Sequence, residues 1–133
     1  MPITQLNHVN LRTTQLNAMV AWYTEVLGLV DGYRPHFPSH GAWLYVGDTP
    51  AVHLVEIEGE PAVGAEHELK LEHFAFSATD ADAFESRLDA SGTRFERVRV
   101  ESAKIMLYNV WDPDGNHIHV DFAAAEAEGV DLD

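Results

Sequence analysis

Histidines at positions 8, 53, 73 and 119 are the residues whose type and spacing could do chemistry in this chain. Each sits in a short apolar run with the composition of a β-strand: LNHVNL, AVHLVE, LEHFAF and HIHVDF. His8 and His73 are 65 residues apart, and His53 and His119 are 66 apart. A repeat at half the chain length, with an imidazole at matching points, suggests two copies of one unit facing each other. Four imidazoles gathered in that way would make a metal site, and imidazole suits Zn, Fe, Ni, Cu or Mn. An all-histidine set leaves the ion's charge uncompensated by protein. An anionic substrate such as an enolate, catecholate or carboxylate would complete it, with the ion holding two vicinal oxygens as a Lewis acid. His117 shares the strand face of His119 and suits a supporting or proton-transfer role. His36, His40 and His67 fall in loop-like stretches and read as surface residues.

The elements that must position these histidines follow from periodicity. Residues 5–12 alternate, with Leu6, His8 and Asn10 on one face. Thr13 or Thr14 can cap a helix near 15–27, whose apolar stripe runs through Leu16, Met19, Val20, Tyr23, Val26 and Leu27. Gly28 ends it as a left-handed cap. A strand end and loop follow over 29–41, then a short strand around Trp43 and Tyr45, a turn at Gly47–Pro50, and a strand over 51–57. On that last strand Ala51, His53 and Val55 share a face, while Val52, Leu54 and Glu56 share the other. Residues 58–67 read as a linker.

The second half replays the first. A strand over 70–77 carries His73. A capping box at Thr79–Asp82 starts a helix near 80–91, lined by Ala81, Phe84 and Leu88, and Gly92 stops it. Strands over 94–100 and 104–111 lead to the turn Asp112-Pro113-Asp114-Gly115 and a final strand, HIHVDF. There His117, His119 and Asp121 face one way, and Ile118, Val120 and Phe122 the other. The acidic, Ala-rich tail over 123–133 reads as frayed. The fold class is therefore α+β: two β-α-β-β-β modules, 3–57 and 68–122, form one domain over 1–133. One module cannot bury both a sheet face and a helix face well. Two can form a cupped mixed sheet with helices outside and the histidine faces lining the cup.

Composition bounds the partners. The 133 residues carry 8 basic and 22 acidic side chains, a formal charge of 8 − 22 = −14, which argues against nucleic acid. No apolar run approaches the ~18–20 residues of a membrane span. With no cysteine, disulfides and thiolate ligands are excluded, and a cytoplasmic setting fits.

Taken together, LNHVNLR opening the first module, EHFAF opening the second and DPDGNHIHVDF closing it resemble the vicinal oxygen chelate superfamily. That group includes glyoxalase I, extradiol dioxygenases, fosfomycin-resistance transferases and bleomycin-resistance proteins. The resemblance spans about residues 3–123, with the D-P-D-G-N-x-I turn and strand as its most specific piece. It implies metal ligands from the first and last strand of each module, which by position are His8, His53, His73 and His119. The last of these is usually a Glu in the family, and here it is His119. In ring-cleaving members a catalytic Tyr lies four residues before the turn proline. That place is Asn109 here, and Tyr108, one residue out of register, should face away.

Two functions stay open. One is an enzyme dependent on a divalent transition metal (Fe, Mn, Ni or Zn), acting on a small substrate with vicinal oxygens by dioxygenase-like or lyase/isomerase chemistry. The other is a metal-free protein that sequesters a drug-like molecule. Arg34, Trp43, Tyr45, Trp111 and His117 are candidate substrate contacts in either case. Glu56, on the helix-facing side by parity, is not expected to act as a base. The resemblance also implies a homodimer, with the cup completed within one chain or by exchange of modules.

Overall fold

The structure is a computed structural model that describes residues 2–59 and 70–127. His67, most of the expected linker and the tail beyond 127 lie outside the described residues. The fold is α+β and divides into two compact units, Met1–Ala62 and Val63–Asp133.

In the first unit the order is β1 (Val9–Thr13), α1 (Leu16–Glu25), β2 (Val30–Gly32), β3 (Gly41–Val46) and β4 (Thr49–Glu56). Its four-stranded sheet runs β1-β4-β3-β2, with β1 parallel to β4 and the other pairs antiparallel. In the second unit β5 (Phe74–Ser77), α2 (Ala81–Ser91), β6 (Phe95–Val100), β7 (Ile105–Trp111) and β8 (His117–Ala123) follow in the same order. They form a sheet β5-β8-β7-β6 with the same single parallel pair, β5 with β8. Both halves are β-α-β-β-β.

Alternation decides which faces are buried. Ala42 and Leu44 on β3 and Val52 and Leu54 on β4 turn inward, in the unit where α1 contributes Met19, Tyr23 and Val26. Helix α1 packs on β3 and β4. In the second unit Met106, Tyr108 and Val110 on β7 and Ile118, Val120 and Phe122 on β8 are buried with Ala81, Phe84 and Leu88 of α2. The Phe84 ring meets Tyr108 edge-on at 5.3 Å and Phe122 at 5.7 Å. Each of the larger aliphatic and aromatic side chains contributes about 1.5–3 kcal/mol through burial. The histidine-bearing residues of β4 and β8 lie on the opposite parity from these cores.

Helix ends match the sequence reading in part. Gly28 and Gly92 have positive φ (78° and 68°), the left-handed conformation that lets the chain turn back and satisfy the last carbonyls. Leu29 N–H donates to Tyr23 O and Thr93 N–H to Leu88 O. Asp80 caps α2, its Oδ1 accepting from Ala83 N–H at 3.2 Å. Neither Thr13 nor Thr14 caps α1. Gln15 occupies that place without a side-chain capping bond, and Thr13 Oγ1 accepts from the Gln15 N–H instead.

Three expectations are corrected. The strands expected over 5–12 and 70–77 begin only at Val9 and Phe74. Pro50 offers no N–H to extend the β1–β4 ladder backward. β8 starts only at His117, so residues 70–72 have no strand to pair with. Thr49 and Pro50 belong to β4 rather than to the turn, and the register shifts beside them, between Leu44 and Tyr45. Finally, residues Ala124–Ala127 are not frayed but form a 3-10 turn. There Glu126 accepts from the Ala81 N–H at 2.8 Å, placing a carboxylate on an otherwise orphaned donor of the α2 N-terminus.

Candidate metal centre

Strand register brings the histidines together in pairs, by the same rule in each unit. Asn10 is the partner of His53 in the β1–β4 ladder, and Ala75 is the partner of His119 in the β5–β8 ladder. His8 and His73 each lie two residues before that partner, just ahead of their strands. The imidazoles of His8 and His53 stack at 3.8 Å, and those of His73 and His119 at 3.7 Å.

Each pair extends into a row of rings. In the first unit Trp43 is the register partner of His53 and stacks on it at 4.1 Å. Phe37 lies 6.2 Å from Trp43, and the Arg34 guanidinium sits 4.9 Å over Phe37. In the second unit Trp111 is the partner of His117 and stacks on it at 5.1 Å, and the Arg94 guanidinium lies 3.6 Å over Trp111. The indoles thus act as walls against the histidines, and the Arg94 guanidinium holds the Trp111 ring by a cation–π contact.

The second unit carries a third imidazole. His117 lies 4.9 Å from His119 and 5.5 Å from His73, ring to ring. His73, His117 and His119 offer ligand atoms that all lie within 4.8 Å of one another, the one such group among the described residues. The residue 66 positions before His117 is Ala51, so the first unit lacks this third ring. The sequence reading gives His117 as a supporting, proton-transfer or substrate-contact group and not as a ligand. The signal for more was present, because same-face neighbours on a strand lie ~6.6–7 Å apart, within reach of two imidazoles tilted together.

Hydrogen bonds orient the cluster. His117 Nε2 lies 2.8 Å from Asn109 Oδ1, and Asn109 is the register partner of His119. Glu72, which the sequence reading missed, accepts from His73 Nδ1 and from His117 Nδ1, the latter at 3.2 Å. Strand alternation would set Glu72 opposite His73. Because β5 begins only at Phe74, alternation does not reach it. These two histidines hold the Glu72 carboxyl below its usual range, the hydrogen bond from His73 most of all. Asp121 Oδ1, two residues beyond His119, is buried with no hydrogen-bond partner among the described residues.

Electrostatics favour neutral ligands. Burial first, then repulsion from His73 and His117, lowers the His119 pKa below 6.5. Burial, then His8, does the same for His53. His53 is only 8% exposed, and its Nε2 has no hydrogen-bond partner among the described residues. A buried imidazole nitrogen left unpaired costs free energy unless something binds it, and a metal needs its histidines neutral. The donor set therefore fits a transition metal.

The remaining candidates are placed as follows. Tyr45 packs its ring against Gly32, where an added Cβ would come within 2.7 Å, and its hydroxyl donates to Tyr33 O. Arg34 donates to Ser39 O at 3.0 Å and helps line a cavity of about 370 Å³ with His36, Ser39 and His40. His36 and His40 are exposed, as read from sequence. Tyr108 turns into the α2 core as its register required, and Glu56 is exposed on β4.

Comparison with known proteins agrees with this architecture. The sequence model of the Glyoxalase/Bleomycin resistance protein/Dioxygenase superfamily matches residues 5–120. Among solved structures, a glyoxylase/bleomycin resistance protein/dioxygenase domain from Frankia sp. EAN1pec superposes with a TM-score of 0.77 at 21% identity, covering 91% of this chain and 98% of that one. A glyoxalase family protein from Bacillus anthracis gives 0.71 at 22% identity, covering 91% and 96%. The trypanothione-dependent glyoxalase I of Leishmania major gives 0.69 at 18%, covering 95% and 91%. No curated protein matches the chain. No helix among the described residues is long and apolar enough to cross a membrane.

Proposed function

Because the chain belongs to the Glyoxalase/Bleomycin resistance protein/Dioxygenase superfamily, we propose that it is a metal-dependent enzyme acting on a small substrate with vicinal oxygens, by dioxygenase-like or lyase/isomerase chemistry. One observation carries this reading: the convergence of His73, His117 and His119, with ligand atoms within 4.8 Å of one another. His8 and His53 enter the proposal as further ligands, on the strength of a register that repeats that of His73 and His119. A bound Fe, Mn, Ni or Zn ion would supply Lewis acidity toward the substrate oxygens.

The chain's own residues do the rest. Burial favours the neutral forms of His53 and His119, the forms that bind a metal. Trp43 and Trp111 brace the imidazoles by stacking, which limits how far the ligands can rotate. With no carboxylate among the proposed ligands, the reading favours an anionic substrate, and Arg34 is the cation proposed to meet it. A homodimer is part of the proposal; a monomeric mass at micromolar concentration counts against it.

Elemental analysis of protein grown with Fe, Mn, Ni and Zn and then dialysed tests the function. The expected result is about one transition metal per chain, most of it lost in His73→Ala. A wild-type protein that retains no metal would overturn the enzyme reading and favour a metal-free small-molecule binder.

A further inference from the structure

The carboxylate of Glu72 divides its two oxygens between two histidines of the cluster. Oε2 accepts from His73 Nδ1, and Oε1 accepts from His117 Nδ1 at 3.2 Å. A carboxylate is an acceptor only, so each contact requires a proton on Nδ1. In a neutral ring that leaves the lone pair on Nε2. The first unit repeats the arrangement with a different residue. Asn7, the residue before His8, places Oδ1 2.7 Å from His8 Nδ1. In both units the residue preceding the first histidine thus engages its Nδ1. Opposite Glu72, the Nε2 of His117 lies by the Asn109 amide, whose NH₂ meets the lone pair after a half-turn of the amide and would give way to a bound metal ion.

We propose, building on the metal-binding reading above, that Glu72 is a positioning residue: by holding the Nδ1 protons of His73 and His117 it fixes both rings as the tautomer that presents Nε2 to the metal. Without it each neutral ring divides between two tautomers and rotates more freely, and metal binding must first select the productive state. Glu72 is exposed and packs in no core, so its removal leaves the fold intact.

The test uses the full chain, stripped of metal, as wild type, Glu72→Ala and Glu72→Asp. Long-range ¹H–¹⁵N spectra of the imidazoles read the tautomers directly, and titration with Zn²⁺ or Co²⁺ against a chelator reads affinity. The wild type should show Nδ1–H tautomers for His73 and His117. Glu72→Ala should lose that preference at both rings and bind Zn²⁺ about 10–100-fold more weakly, with an unchanged circular dichroism spectrum. Glu72→Asp should recover part of both effects. If Glu72→Ala keeps the wild-type tautomers or affinity, the inference fails while the metal reading stands. If it abolishes binding and the Co²⁺ spectrum reports one oxygen ligand fewer, Glu72 is itself a ligand and the positioning role is wrong. A wild type that binds neither ion overturns both readings.

Discussion

Replacing Asp112 by alanine should be among the most damaging single changes outside the apolar cores. Asp112 is only 5% exposed. Its Oδ1 accepts from the backbone N–H groups of Asp114 and Asn116, each at 2.9 Å, and its Oδ2 accepts from Asn116 Nδ2 at 2.9 Å. These bonds close the turn that delivers His117 and His119 at the start of β8. A hydrogen bond to a charged group contributes about 1.5–3 kcal/mol. Asp114 and Asn116 are half-buried, so water replaces part of what alanine removes. The net cost for the three bonds is then about 2–4 kcal/mol, which at about 3–5 °C per kcal/mol for a chain of this size lowers Tm by roughly 6–20 °C. Asp112→Asn keeps an acceptor and should lose about half as much. Urea unfolding at neutral pH and calorimetry measure both, and metal affinity should fall in parallel as the two histidines lose their anchor. An alanine variant within ~0.5 kcal/mol of the parent would refute the claim that this carboxylate holds the turn.

Four other outcomes are expected. Tyr108→Ala should cost about 3–5 kcal/mol, as large aromatic truncations do, because its ring packs among Phe84, Phe95 and Phe122. Tyr108→Phe should cost under about 1 kcal/mol, since the hydroxyl reaches Glu85 only at 3.4 Å; urea midpoints compare the two. Burial raises the Tyr108 phenol to about 12, so absorbance at 295 nm should show a tyrosine ionising well above the usual value of about 10, and Tyr108→Phe should remove that step. Stability should decline as pH falls below about 6.5. His53 and His119 have folded pKa values below that of the unfolded chain, so the unfolded state binds more protons and their contribution is lost toward acid; a urea midpoint at pH 5 equal to that at pH 7.5 would contradict this. Finally, His119→Glu should keep or tighten Fe and Mn binding by setting a carboxylate beside His73, as metal content after growth on those ions will report. Loss of metal there would refute the claim that a carboxylate can replace the His119 imidazole as a ligand.

The sequence by itself determined what depends on local periodicity. A period of two set which residues of β4 and β8 face the cores, so Val52 and Leu54, or Ile118, Val120 and Phe122, could be assigned from spacing alone. A period near 3.6 marked the stripe of Met19, Tyr23 and Val26 and that of Ala81, Phe84 and Leu88. Gly28, Gly92 and the Asp112–Gly115 turn were readable because each is solved by residues within a few positions of one another. The half-length repeat marked His8 with His73, and His53 with His119, as equivalent positions; the parallel ladders then stacked His8 on His53 and His73 on His119. Tertiary structure decided whatever joins residues far apart or lies past the point where a strand's alternation holds. Glu72 and His117 are 45 positions apart, and so are Ala81 and Glu126. No local pattern links either pair, and the folded ladders alone bring them together. Strand ends matter for the same reason: a ladder stops where its neighbour runs out of donors, as at Pro50 and before His117. That loss of alternation frees Glu72 to turn back onto the histidines, which spacing would have placed on the opposite face.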